Sequence, residues 1–295
     1  MEQSSKIQLF KQRNFSEKVE ATFAFIRRNF KSFFGTMLVI VGPFLILTAI
    51  GTTFMTTRSM RYYNQPGVDP LEVFNSVGPS MFISMIGGFL SSLLIFAGTY
   101  GYLKVYHQVG QGEVTTKAVW KESLRQIPGL LGFFGILMAI MIGGVFLLKA
   151  FVLILMLVLA VVSVFWTIVP AIMAFERVNP LKAMSRSFFL MSDKYFSTVG
   201  LIFVLFLIVV ALGVLVSVPT YIMTFSELIT LQEGGAINGY QQSIFLQVYN
   251  IITSILLNLG STIISIGIVF QYTNLVERKE GVNLMDQINQ MGTDR

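Results

Sequence analysis

The sequence predicts an all-α polytopic membrane protein with six transmembrane helices, arranged as three repeats of a cytoplasmic amphipathic elbow helix followed by a transmembrane hairpin. Three observations carry this expectation. The 295-residue chain is 54% hydrophobic and only 12% charged, against about 25% charged in soluble domains. It contains six apolar runs of spanning length, and its Lys and Arg residues fall almost entirely on one side of them. A helix of about 20 apolar residues crosses a hydrocarbon core about 30 Å thick. The runs occupy 33–57, 81–103, 129–148, 150–175, 198–223 and 244–272.

Orientation follows from the positive-inside rule. Of the 21 Lys and Arg residues, 18 fall in the amino-terminal segment, between spans two and three, between spans four and five, or after span six; Arg58, Arg61 and Lys149 are the remaining 3. That split predicts a multi-pass membrane protein with both termini cytoplasmic, and it accounts for the net charge of +6 without nucleic acid as a partner. Some thirty polar and basic residues precede the first span, unlike a secretory signal, so that span is expected to be a retained anchor. Lys149 alone interrupts spans three and four, which calls for a tight hairpin there.

The first element is an amphipathic helix in which Phe15, Val19, Phe23, Ile26 and Phe30 form one stripe and Lys18, Arg27, Arg28 and Lys31 lie largely off it. The third opens with Asn179 and Pro180, a capping residue and a proline at the first helical position. Leu181, Met184, Phe188, Met191 and Tyr195 then recur on one face, with Lys182 and Arg186 opposite. A constant offset of 165 pairs Asn14 with Asn179, Phe23 with Phe188, Phe30 with Tyr195, Ser32 with Ser197 and Gly35 with Gly200. Between spans two and three a shorter version begins at Thr115 or Thr116, setting Val119, Leu124 and Ile127 against Lys117, Lys121 and Arg125. The repeat units are expected at 14–103, 114–175 and 179–272 of a single membrane domain, with a polar tail at 273–295. Such elbows lie in the interface, apolar face in the acyl boundary and basic face toward anionic lipid.

The connecting segments carry less. Asp69 reads as an N-cap, Pro70 as a first helical residue and Gly78 as a stop, giving a short outer helix, whereas 225–242 reads as a loop. Ser84, Gly88 and Ser92 repeat at four-residue steps and permit close helix approach. Pro43, Pro170 and Pro219 are places where a helix kinks or ends.

Functional expectations rest on which chemistry is absent. No span carries Asp, Glu, Lys or Arg at mid-membrane, where ion and proton pathways place them. Cysteine is lacking altogether, which removes thiol nucleophiles and Cys-ligated metals. The single His107 has no carboxylate or cysteine beside it in sequence, so no metal or other cofactor is expected. One polar arrangement stands out: Asn250, Ser254, Asn258, Ser261 and Ser265 form one helical seam in span six, which should face inward, either bonding between helices or lining a substrate path. Arg27, Arg28, Lys31, Lys121, Arg125, Lys182 and Arg186 are the candidate contacts to lipid or partner.

The segment 169–203, with its Glu176 exit, Asn179-Pro180 and the Ala183 and Ser187 helix, resembles the membrane domain attached to some bacterial glycerophosphoryl diester phosphodiesterases and the related stand-alone six-span proteins. In that family the catalytic residues belong to a separate soluble barrel, so the resemblance implies architecture and not phosphodiesterase activity. The expected function is a non-enzymatic accessory or scaffold subunit of a membrane complex, in envelope biogenesis or protein translocation, in contact with membrane lipids and other membrane proteins. A permease or flippase for a lipid or amphiphilic solute, using the span six seam, is the alternative. A lipid-modifying enzyme would need Glu176, Arg177 and His107 to cluster.

Overall fold

The structure, a computed structural model, describes residues 7–63, 67–110, 112–147, 152–232 and 244–282. Regular structure among them is helical: α1 (Phe15–Tyr63), α2 (Pro70–Val109), α3 (Thr116–Leu147), α4 (Val152–Trp166), α5 (Val169–Glu176), α6 (Pro180–Met191), α7 (Tyr195–Gln232), α8 (Ile244–Gly260) and α9 (Thr262–Glu280). Six segments are long and apolar enough to cross a membrane. The turn at Lys149 lies outside the described residues.

Helix starts follow the sequence signals closely. Asn14 and Glu17 form a reciprocal capping box: each side chain accepts from the other's backbone N–H, at 2.9 and 2.8 Å. Asn179 accepts from the Lys182 N–H at 2.9 Å and Asp69 from the Leu71 N–H at 2.9 Å. Helix stops follow less well. Gly78 does not end a short outer helix, because α2 runs unbroken from Pro70 through span two. Residues 225–232, expected as loop, continue α7.

The elbows differ from expectation in the same way. The first and second run straight into their spans as parts of α1 and α3, the latter through Pro128. Only the third is separate: Ser192, Asp193 and Lys194 form a turn between α6 and α7, and Lys279 holds both Ser192 and Asp193 from α9. Its hydrogen bond to Lys279 holds the Asp193 carboxyl below the usual carboxylate range.

Two spans are interrupted. Pro170, which has no N–H to donate to the turn before it, follows the break between α4 and α5. At Ser261 the hydroxyl and the N–H both reach the Asn258 carbonyl, at 2.6 and 3.2 Å, and separate α8 from α9. Beyond that break α9 continues to Glu280 with 273–277 buried, so the first five residues expected in a polar tail are interior helix and the next three are exposed helix.

The chain forms two compact units, Met1–Thr36 with Phe96–Leu207 and Thr262–Arg295, and Met37–Ile95 with Ile208–Ser261. In the second unit α1 and α2 touch backbone to backbone. A Cβ on Gly87 would lie 2.8 Å from the Thr48 nitrogen, and one on Gly51 2.7 Å from the Ser84 nitrogen. The close seam therefore uses Ser84 and Gly87; Gly88 and Ser92, expected to share it, are turned aside, with Ser92 exposed. Arg58 donates to the Ser76 carbonyl at 2.8 Å and joins the same two helices.

The first unit is built around Phe25, whose ring meets Phe33, Tyr102, Tyr106 and Phe270 edge-on at 5.0 to 6.3 Å, an arrangement that suits the ring quadrupole. A polar layer lies beside it. The Lys18 ammonium, 2% exposed as a residue, donates to Gln271 at 2.6 Å and Ser197 at 3.0 Å, and Gln271 donates to Thr198 at 2.7 Å. Lys18, Thr22, Phe25 and Asn29 are thus the buried face of the first elbow, while Phe15 and Phe30 point outward. The third elbow is turned likewise: Ala183, Met184, Ser187, Leu190 and Met191 are buried and Leu181 and Phe188 exposed. In both elbows the apolar stripe is divided, part of it exposed and part buried or half-buried, and in the first the buried Lys18 leaves the basic face for partners inside.

Candidate functional site

Ionic groups gather at one end of the first unit. Glu122 lies on the buried face of α3 beside Val119 and Ser123, and the Lys104 ammonium, at the end of span two on α2, stands 2.8 Å from it. Only 8% and 11% of these side chains are exposed, so each charge depends on the other. Lys104 also donates to the Ala174 carbonyl of α5. Arg125 and Arg177, both more than half exposed, approach the same carboxylate at 3.6 and 3.8 Å. Arg177 can do so because it ends α5 in a left-handed conformation, φ 55°, with its N–H on the Met173 carbonyl.

A second cluster forms where α5, α6 and α9 meet. Arg186 lies 2.6 Å from Glu176 and 2.6 Å from Glu280, and the Tyr272 hydroxyl donates to Glu176 at 3.0 Å. Burial works against the Arg186 charge, but its two carboxylate partners prevail and raise its pKa above the ordinary value.

Lys104, Glu176, Arg186 and Glu280 line a cavity of about 480 Å³. Gln108, Val276 and Val282 complete the wall with an aromatic group in which Phe10 meets His107, Phe175 and Tyr272 edge-on at 5.1, 6.0 and 6.5 Å. A second cavity, about 350 Å³, is lined by Phe96, Phe133, Phe134, Leu137, Trp166, Pro170 and other apolar groups. Both volumes fall within the range of about 300 to 1,000 Å³ typical of ligand pockets.

The seven basic candidates do not form one surface. Arg27, Arg28, Lys31, Lys121 and Lys182 are exposed, Arg125 is drawn to Glu122, and Arg186 is committed to its two carboxylates. The span six seam is broken by the turn at Ser261, and Asn250, Asn258 and Ser261 have partners within the protein. Thr220 donates to Asn250 at 3.0 Å, Asn258 to the Ser254 carbonyl at 2.8 Å and Ser261 to the Asn258 carbonyl at 2.6 Å; Ser265 is buried. Neither cavity is lined by any of the five. Asn250→Leu is therefore expected to cost only about 0.6 kcal/mol, the mean for an interhelical hydrogen bond in a membrane, measured by unfolding in mixed micelles.

Sequence reading named Glu176, Arg177 and His107 as residues that an enzyme would need together; Glu176 and His107 do share the 480 Å³ cavity, while Arg177 turns to Glu122. Lys104, Glu122, Tyr272 and Glu280 went unrecognised. The available signal was a charge, Lys104, at the end of an apolar run, and an acid, Glu122, in an otherwise basic elbow. Comparison of the chain with protein-family models, curated proteins and solved structures gave no match.

Proposed function

We propose that this chain is a non-enzymatic accessory or scaffold subunit of a membrane complex in the bacterial cytoplasmic membrane, with both termini cytoplasmic. One observation carries the reading: the interior ionic groups hold helices to one another. Lys104 and Glu122 tie α2 to α3, and Arg186 ties α6 to α5 and α9. A transport path needs polar groups left available to its cargo, and the span six seam bonds to its own neighbours instead. Envelope biogenesis and protein translocation are the settings in which such a subunit would serve.

Topology and repeat belong to the same proposal. The distribution of Lys and Arg supports the cytoplasmic termini. Asn14 and Asn179, related by the offset of 165, each cap a helix through the side chain, which supports a kinship of the first and third units. The likeness of 169–203 to the phosphodiesterase membrane domain supports the same architecture. Exposed Arg27, Arg28, Lys31, Lys121 and Lys182 would meet anionic lipid at the inner leaflet.

Two measurements test this. Chemical crosslinking in native membranes, then purification of the full chain, is expected to recover a defined membrane-protein partner in fixed ratio; purification of the monomer alone under crosslinking counts against a scaffold. Since the chain has no cysteine, Lys182→Cys on the exposed side of α6 reports topology without background. It should react with a membrane-impermeant thiol reagent only after the cells are opened, and labelling of intact cells would overturn the orientation.

A further inference from the structure

The apolar cavity of about 350 Å³ has a buried floor and an exposed lip. Phe133 of α3, Pro170 of α5 and Ile268 of α9 belong to the floor and are buried. Met141 of α3 and Ser163 of α4 belong to the lip and are exposed. Depth fixes what the lip faces. Along the continuous helix α3, Phe133 and Met141 stand eight and sixteen residues beyond the exposed Arg125, about 12 and 24 Å at the helical rise. Pro170 stands six residues before Glu176 on α5, about 9 Å. The cavity thus lies below the ionic groups and within a hydrocarbon core about 30 Å thick.

Water is a poor occupant. A buried water takes two to four polar partners, and cavities lined by apolar side chains stay dry. Here the Ser163 and Thr167 hydroxyls donate to the Ala160 and Val164 carbonyls of their own turns, at 2.8 and 2.7 Å, and the Trp166 N–H is fully covered. Left empty, the lining atoms lose dispersion partners on one side. We propose that this cavity binds one acyl chain of a bilayer phospholipid, which enters sideways between α3 and α4 and keeps its head group at the membrane surface. An acyl chain is what surrounds the lip, it asks for no hydrogen bond, and the unbranched Met141 adapts to admit it. Because the site ends below the ionic groups, it recognises hydrocarbon and not the head group, and a single chain fills it. The inference uses the membrane-spanning segments and is independent of the scaffold role.

Bromine quenching of Trp166 tests it. The chain has two tryptophans, so Trp120→Phe leaves Trp166 as the reporter in the full chain. The protein is held in glyco-diosgenin micelles, whose rigid steroid tail mimics an acyl chain poorly, and titrated with phosphatidylglycerol carrying 9,10-dibromostearoyl chains. Emission is expected to fall by about half or more, since bromine would lie in contact with the indole, and to saturate near one lipid per protein. Phosphatidylethanolamine with the same chains should match it within about twofold in affinity, and so should lysophosphatidylglycerol with one brominated chain. Ser163→Phe, which narrows the lip, should restore most of the lost emission. Unchanged emission at excess lipid overturns the proposal, and is the result expected if a partner protein's side chain fills the cavity instead. Quenching that grows without saturating overturns it too, as contact with surrounding lipid only. So does failure of the one-chain lipid, a head-group preference above about tenfold, or undiminished quenching in folded Ser163→Phe; should that variant not fold, the lipid series alone decides. A missing protein partner would end the scaffold reading and leave this one standing.

Discussion

Glu122→Gln is expected to destabilise the protein by about 3 to 5 kcal/mol, the range for removing one partner from a buried ion pair. The glutamine fills the same space but leaves the Lys104 ammonium, 8% exposed, with the Ala174 carbonyl as its neighbour and no counter-charge at 2.8 Å. Loss of Arg125 and Arg177 from the same carboxylate adds little, because both are more than half exposed and exposed pairs are worth about 0 to 1 kcal/mol. Replacing both partners, Lys104→Met with Glu122→Leu, should recover most of the loss, since well-packed apolar residues substitute for a buried pair at little or no cost. Circular dichroism during unfolding in mixed micelles gives both values. A double variant as unstable as the single one would place the cost in side-chain shape, and a neutral Glu122→Gln would remove the pair from any structural role.

How far this protein can be read from its sequence depends on which solvent surrounds each segment. The spans were legible because twenty consecutive apolar residues satisfy one requirement, that of the hydrocarbon core. Helix starts at Asn14, Asp69 and Asn179 were legible because a cap is local chemistry among four residues. Helix faces were legible only in part. The amphipathic stripe at Phe15, Phe23 and Phe30 resembles a core-facing stripe of a soluble helix, but Lys18, Thr22 and Asn29 occupy the interior. Periodicity identifies two faces and is silent on which is inward; that depends on whether water or lipid lies outside.

Long-range pairing was equally hidden. Arg186 looked like an interfacial cation because Lys182 and Ser185 beside it are polar. Its carboxylates come from ten residues earlier and from the end of α9, nearly a hundred residues later. The mixed-charge end of α9 reads as a polar tail, so nothing in the linear order suggests that Glu280 and Tyr272 share a cavity with Glu176. Glu122 was the fairer clue, being one acid among Lys117, Lys121 and Arg125 in a helix expected to present a uniformly basic face.

The second large effect is expected at a glycine. Gly87→Ala should cost about 1 to 3 kcal/mol, as overpacking does in a filled interior, and Gly87→Leu more. An added Cβ would stand 2.7 Å from the Thr48 hydroxyl oxygen, 2.8 Å from its nitrogen and 3.1 Å from its Cα. The hydroxyl is itself fixed, donating to the Phe44 carbonyl at 2.8 Å, and a backbone nitrogen cannot move aside without moving α1. Two helices that meet without an apolar driving force between them depend on such close approach, so lost contact is not regained elsewhere. Gly88→Ala is the control. The nearest atom to its Cβ would be the Thr48 methyl at 3.8 Å, an ordinary contact, and in a helix interior alanine is better than glycine by about 0.5 to 1 kcal/mol. Neighbouring substitutions of identical chemistry are thus expected to differ in sign, one destabilising and one neutral or stabilising, in the same unfolding titration. If both proved neutral, α1 and α2 would not cross at Thr48 and Gly87; if both destabilised equally, the cause would lie in the helix itself and not in its approach to a neighbour.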